Sequence, residues 1–385
     1  MRVVMFYHTL VSDWNHGNAH FLRGIATELI SRGHQVEIYE PSDSWSVQNL
    51  IAEHGLDPIQ KFKTRYPHLR STRYDLKAFD LNKALSNADL VIVHEWNDHD
   101  LVRRIGEHHR QHPSYRLFFH DTHHRMVTAP ESMSAYDLQN YDGVLAYGKI
   151  LQELYSETRR VKRAWTWHEA ADVRVFQPLL REEKSGDLVW IGNWGDDERS
   201  AELQEFLIQP VKALGLKARV YGVRYPQHAI DALKEAGIEY CGWLPNFEVP
   251  EVFSQFRVTV HVPRRPYTRA LPGIPTIRPF EALACGIPLI SAPWRDAENL
   301  FRDGRDFLFV NSYEEMVAEL KRVLSNPPLA ENLIHSGLET LNTRHTCKHR
   351  VDELLAIDAE LREEQEVTGG GDFFELPSTT NRNLR

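Results

Sequence analysis

The sequence predicts an α/β protein of two doubly wound domains, and three observations predict it. At 385 residues the chain exceeds what one hydrophobic core usually serves, so two units of roughly 150 to 200 residues are expected. Short β-rich apolar runs alternate with helical patterns along its length, the signature of βαβ units around parallel sheets. The alternation pauses at a charged stretch, Arg181 to Asp187, and then restarts, which reads as a linker between domains.

In the first half, Val3 to Tyr7 reads as a buried strand and residues 8 to 18 as a polar loop. Phe21, Leu22, Ile25, Ala26, Leu29 and Ile30 then fall at helical spacing before Gly33 stops the helix, and Val36, Ile38 and Tyr39 start the next strand. Further strands are expected at Leu90 to Val93, Leu117 to Phe119, Val144 to Ala146 and Ala164 to Trp167. In the second half they are expected at Leu188 to Ile191, Ala218 to Tyr221, Val258 to Val262, Leu289 to Ser291 and Leu308 to Val310. Residues 351 to 366 form a last amphipathic helix, and Gly369 to Gly371 with the polar residues beyond Pro377 read as a disordered tail.

Composition excludes several classes. Apolar content of 42% and charged content of 26% are those of a globular protein. The N-terminal apolar run is too short for a signal peptide, and no segment reads as a membrane span. Three scattered cysteines offer neither a disulfide framework nor a Cys-x-x-Cys metal site, so a reducing cytoplasm is the expected compartment. A net charge of −9 disfavours nucleic acid as a partner. Charge is uneven, however: residues 252 to 280 hold no Asp or Glu but include Arg257, Arg264, Arg265, Arg269 and Arg278, a candidate anion site.

Two motif matches are decoys. Gly143 to Lys149 fits a phosphate loop until Ile150 stands where Ser or Thr must hold magnesium, and its middle reads as a strand. His168-Glu169-Ala-Ala-Asp172 lacks the second histidine of a zinc protease. His108, His109 and His112 read as a solvated helix face. His120 differs, because Phe118-Phe119-His120-Asp121 ends a strand, and ligands of open α/β sheets bind outside the carboxyl ends of strands. No Gly-x-Gly-x-x-Gly follows a strand, which argues against a nicotinamide or flavin dinucleotide.

The strongest constellation runs from Leu271 to Pro288. Pro279 suits a first helical turn, Phe280 to Cys285 makes a short helix, and Gly286 ends it before the next strand. Unpaired N–H groups at such a helix start bind phosphate, and the flanking arginines add charge-assisted hydrogen bonds. Glu281, acceptor-only when ionised, suits the paired hydroxyls of a ribose; the plainer alternative is that it complements the helix dipole.

Here the chain resembles the GT-B glycosyltransferases, the GT4 group and most closely its CgeB-like (spore maturation) branch. The resemblance is carried by His16-Gly17-Asn18-Ala19, Gly33-His34-Gln35-Val36, Asp172 through Phe176 to Pro178, Trp190 to Arg199, Cys241-Gly242-Trp243-Leu244-Pro245, and Arg278 to Gly286. It departs where the GT4 pattern has a glutamate eight positions before Glu281, here Gly273, and an arginine after Gly192, here Asn193.

The resemblance implies a GT-B fold of two Rossmann-like domains facing a central cleft. Residues 1–178 would form the acceptor-side domain, 179–345 the donor domain, 346–366 a helix packing back on the first domain, and 367–385 the disordered tail. A nucleotide-sugar donor would bind without metal ion or resident cofactor and give up its sugar, with retention, to an unidentified acceptor. His120 and Asp121 are the expected catalytic pair, with His120 on the donor sugar and Gly17 and Asn18 on the diphosphate side. Gly192, Asn193, Arg199, Trp243, Leu244 and Arg264 would bind donor on one side, and Gly273, Ile274, Thr276, Arg278 and Glu281 on the other. The alternatives are a nucleotide-sugar epimerase on the same fold and a GT-B binding protein that has lost catalysis.

Overall fold

A computed structural model describes residues 1–158, 160–181 and 183–369. Its first half holds seven strands: β1 (Arg2–Phe6), β2 (Gln35–Pro41), β3 (Ser71–Tyr74), β4 (Leu90–His94), β5 (Arg116–Asp121), β6 (Gly143–Ala146) and β7 (Ala164–Thr166). They form one sheet in the order β3-β2-β1-β4-β5-β6-β7. The second half holds β8 (Leu188–Ile191), β9 (Ala218–Tyr221), β10 (Ile238–Tyr240), β11 (Val258–His261), β12 (Leu289–Ser291) and β13 (Leu308–Phe309), in the order β10-β9-β8-β11-β12-β13. Every pairing is parallel, so the two doubly wound sheets that the alternation predicted are both present.

Hydrophobic patterning explains which strands are central. β1 and β4 lie mid-sheet and are buried on both faces, as are β8 and β11, so they are largely apolar along their length, with Thr259 and His261 of β11 as buried polar exceptions. In both sheets the order reverses at the centre, between β1 and β4 and between β8 and β11. Such a switch point opens a crevice at the carboxyl ends of the strands. The two crevices face each other, because loops following β1, β5, β7, β8, β9, β10 and β11 line one shared cavity.

The Gly143 to Lys149 match is confirmed as a decoy: its middle is β6, and Lys149 begins the helix Lys149–Thr158. The last helix, Cys347–Gly369, runs beyond the expected end at residue 366, so residues 367–369 of the expected tail are helical. Residues 370–385 lie outside the described residues. The helix crosses back to the first half. Arg32 bonds Asp352 at 2.6 Å, the Trp167 indole N–H donates to the Arg350 carbonyl at 2.8 Å, and Arg116 donates to the Leu361 carbonyl at 3.1 Å. Gly24 on the first helix (Ala19–Ser31) permits this approach, since a Cβ there would meet the Cys347 sulfur at 2.5 Å.

Candidate functional site

The cavity between the halves has a volume of about 440 Å³. Its second-half wall begins with the loop after β8. Gly195, Asp196 and Asp197 have φ of 93°, 47° and 65°, a left-handed turn that returns the chain so that Arg199 lies under Trp190, 5.0 Å from its ring. The Arg199 guanidinium donates to the carbonyls of Val262, at 2.9 Å, and Asn193, and its Nε has no partner. Among the described residues no carboxylate forms an ion pair with it. Burial, with Arg264 and Arg278 nearby, pushes its pKa down to about 9, the mark of a cation short of counter-charge.

Two more arginines reach the cavity with partners. Arg264 bonds Glu198 at 2.8 Å, and Glu198 also faces His124 of the first half at 3.5 Å. Burial opposes ionisation of Glu198, but His124 and Arg264 outweigh it and hold the carboxyl at about 2. Arg278 pairs with Glu281 at the start of the helix Ile277–Ala284. Thr276 precedes that helix at φ 60° and ψ −179°, a conformation that a β-branched residue adopts only under strain, and no side chain caps the first turn. Its first N–H groups are therefore free toward the cavity, which Thr276, Ile277 and Arg278 line.

His261 ends β11. Ser291 Oγ donates to the Ala292 carbonyl, so it must accept from His261 Nδ1 at 3.0 Å, which leaves Nε2 as a bare acceptor with no partner. Burial lowers its pKa to about 3, and Arg199 and Arg278 act in the same sense, so the ring is neutral.

The first-half wall is aromatic. His8 stacks on Trp45 with centroids 5.6 Å apart and touches His16 at 4.1 Å; Trp96 lies 6.5 Å away. None of the His8 and His16 ring nitrogens has a partner, and burial lowers both pKa values, His8 to about 3. Asn18 donates to Thr122 Oγ1 at 2.6 Å. Gly17 faces the helix start, with Ile277 3.8 Å from where its Cβ would be. Glu169 and the Tyr147–Tyr267 hydroxyl pair, 2.6 Å apart, complete this wall.

Of the expected residues, Gly17, Asn18, Gly192, Asn193, Arg199, Trp243, Leu244, Arg264, Thr276 and Arg278 line the cavity. Five do not. His120 ends β5, but its ring packs under the floor against Trp167 at 4.8 Å, His94 at 5.4 Å and Phe21 at 5.9 Å, with no exposure. Asp121 points into a closed site, accepting from the Tyr155 hydroxyl at 2.8 Å and the His123 N–H at 3.1 Å; burial and then Glu95 raise its pKa. The chain surfaces only afterwards, at Thr122, His123 and His124.

Glu281 is sealed at 0% exposure rather than open to a ribose. It accepts from His20 Nδ1 and Asn246 Nδ2, each at 3.0 Å, and from Arg278. Burial would raise its pKa, yet Arg278, His20 and Asn246 together hold it below the usual value. Gly273 sits at φ 96° beneath Glu298, whose Cγ is 2.9 Å from where a Cβ would stand, so the position has no room for a side chain. Ile274 is buried against Gly148 of the first half.

Sequence reasoning missed His8, His16, Trp45, Glu169 and His261. The strand-end rule that selected His120 also points to His261, the last residue of β11 and the penultimate residue of the expected strand Val258 to Val262.

Residues 199–356 match the family described as Glycosyl transferase-like. No curated protein sequence matches the chain. Among solved structures the chain is similar to sucrose-phosphate synthase from Thermosynechococcus elongatus, with TM-score 0.62, 14% identity, and 94% of this chain and 100% of that one covered. It is also similar to a glycosyltransferase from Rickettsia africae ESF-5 (TM-score 0.64, 11% identity, 94% and 98% covered). A third is an α-glucosyltransferase in complex with UDP-glucose and DNA containing an abasic site (TM-score 0.64, 15% identity, 93% and 99% covered). These likenesses establish the GT-B architecture, two Rossmann-like domains across a cleft. The family match falls mostly on the second of these two domains.

Proposed function

We propose that this chain transfers a sugar from a nucleoside-diphosphate donor, bound in the cleft, to an acceptor held against the first half. The observation that carries the reading is Arg199, a desolvated guanidinium without an acidic partner, converging with Arg264, Arg278 and an uncapped helix start on one cavity. A diphosphate supplies the missing charge, and the same donors stabilise the charge that develops on it as the glycosidic bond breaks. They do the electrostatic work of a metal ion, so neither metal nor resident cofactor is assigned.

The Trp243–Leu244 loop takes the base, and the unpartnered Asn246 Oδ1 takes the ribose role expected of Glu281. The acceptor meets the wall of His8, His16, Trp45 and Trp96, which among the described residues carries no free cation for a polynucleotide backbone: Arg125 beside Trp96 is bonded to Glu95 at 2.7 Å. Assignment to the GT4 and CgeB-like branch, and with it retention, rests on the sequence resemblance. In that course the departing phosphate oxygen takes the acceptor proton while the new bond forms on the same face. Cytoplasmic location is supported by three free cysteines; among the described residues no helix is long and apolar enough to cross a membrane.

Thermal melting with UDP, GDP, ADP and dTDP in the presence of EDTA tests the reading. At least one should raise the melting temperature, and a ligand at 100 times its Kd adds about 2.7 kcal/mol. No shift with any of the four rejects a nucleotide donor; a shift that requires a divalent ion rejects metal independence.

A further inference from the structure

Glu169 is a carboxyl group that the reading above leaves without a task. It follows β7 in the segment His168 to Asp172, and its flanks are fixed. His168 Nδ1 donates to the Tyr147 carbonyl at 3.1 Å and Nε2 lies 3.0 Å from Glu298; Ala171 is bridged to Thr346. The Glu169 side chain is thereby held on the cavity wall at 2% exposure, with neither carboxyl oxygen hydrogen-bonded. A buried polar group left unpaired in a rigid segment marks a place where a ligand completes the bonding.

The kind of ligand follows from the charges around it. Burial and the Glu281 charge push the Glu169 carboxyl well above the usual range, with Arg278 opposing, which favours its protonated form. A neutral carboxylic acid offers one donor and spare acceptor capacity. The bare Nε2 of His261 lines the second-half wall of the same cavity, and it too feels Arg278. Neither group suits a phosphate. Both suit hydroxyls, and both flank the arginine site where the diphosphate ends and the sugar begins.

We propose that Glu169 and His261 bound the subsite for the transferred sugar, that Glu169 is its specificity-determining contact, and that the subsite takes a neutral hydroxylated hexosyl group and rejects uronic acids. The inference rests on the nucleotide-sugar reading. A carboxylate on the sugar would face a carboxyl that cannot neutralise it, with ionised Glu281 behind.

Isothermal titration of wild type, Glu169→Gln and Glu169→Ala tests it, with UDP, GDP, ADP and dTDP and the glucose, galactose, mannose and glucuronate derivatives of whichever binds. Affinity for the nucleoside diphosphate should be the same in all three proteins. Affinity for the preferred hexosyl derivative should fall roughly tenfold in Glu169→Ala, and Glu169→Gln, which can still donate and accept, should recover most of it. The glucuronate derivative should bind wild type more weakly than the hexosyl one and gain in Glu169→Ala. Hexosyl affinity unchanged in Glu169→Ala overturns the inference while the nucleotide reading stands. Equal loss for diphosphate and sugar nucleotide makes Glu169 structural and overturns it as well. Binding of none of the nucleotides removes both.

Discussion

Arg199 and Glu281 show how a residue's neighbours, not its type, set its task. Arg199 begins with a pKa lowered to about 9 by burial and by two other arginines, well below the ordinary guanidinium range. Below about pH 9 the proton is bound in both folded and unfolded chains, and the folded state carries the cost of the desolvated charge. Between about 9 and 12 the folded chain releases the proton first, so stability from this group rises with pH. A bound diphosphate restores the high pKa, so binding takes up a proton in that window. Nucleotide affinity should therefore be flat with respect to this group up to about pH 9 and fall about tenfold per unit above it. In Arg199→Gln affinity should be lower and the fall absent; titration calorimetry at several pH values checks both. Glu281 is the converse case, a carboxylate fully consumed by His20, Asn246 and Arg278. Glu281→Ala should cost about 3 kcal/mol, because it strands the partly buried Arg278 cation and two buried donors. Urea unfolding of the ligand-free variant measures this; an unchanged midpoint would mean that the carboxylate is free for ligand after all.

At the scale of elements, the strands legible in the sequence are those with an apolar run or a β-rich pattern, and the two that were not are β3 and β10. Each lies at one edge of its sheet. Ser-Thr-Arg-Tyr and Ile-Glu-Tyr carry polar side chains on a wet face, so no apolar run announces them. The donor helix was legible because Gly286 stops it and a proline lies in its first turn, yet it starts at Ile277, ahead of the Phe280 that the sequence suggested. Periodicity does not reveal that Thr276 is forced to positive φ, nor that this strained entry keeps the first N–H groups uncapped. The strand-end rule failed at β5 for a related reason. Side chains alternate along a strand, and His120 falls on the face that packs against the first helix and Trp167. A rule that names the end of a strand does not name the face.

Across the whole molecule the two halves meet in two different ways. At the cleft the ties are polar: Asp13 of the first half accepts from the Trp243 indole at 3.0 Å and the Asn246 N–H at 3.1 Å, and the Lys149 N–H donates to Glu298 at 2.9 Å. Such bonds exchange readily for water and let a cleft admit its ligand. On the opposite side the halves share one apolar core, in which Phe21 and Ile25 of the first helix join Phe176, Phe280, Leu283, Leu341, Val351 and Leu354. His20 stacks on Phe176 at 3.8 Å within it. Burying each such side chain contributes about 1.5 to 3 kcal/mol, so unfolding either half alone exposes part of the core that the other half needs, although each half also has a cluster largely its own. Two-domain chains often melt in two steps. This one should melt in a single calorimetric transition whose van't Hoff and calorimetric enthalpies agree. A chain ended after His345, without Val351 and Leu354, should lose that coupling and melt in two steps or fail to fold. Two resolved transitions in the full-length protein would show that the shared core does not couple the halves.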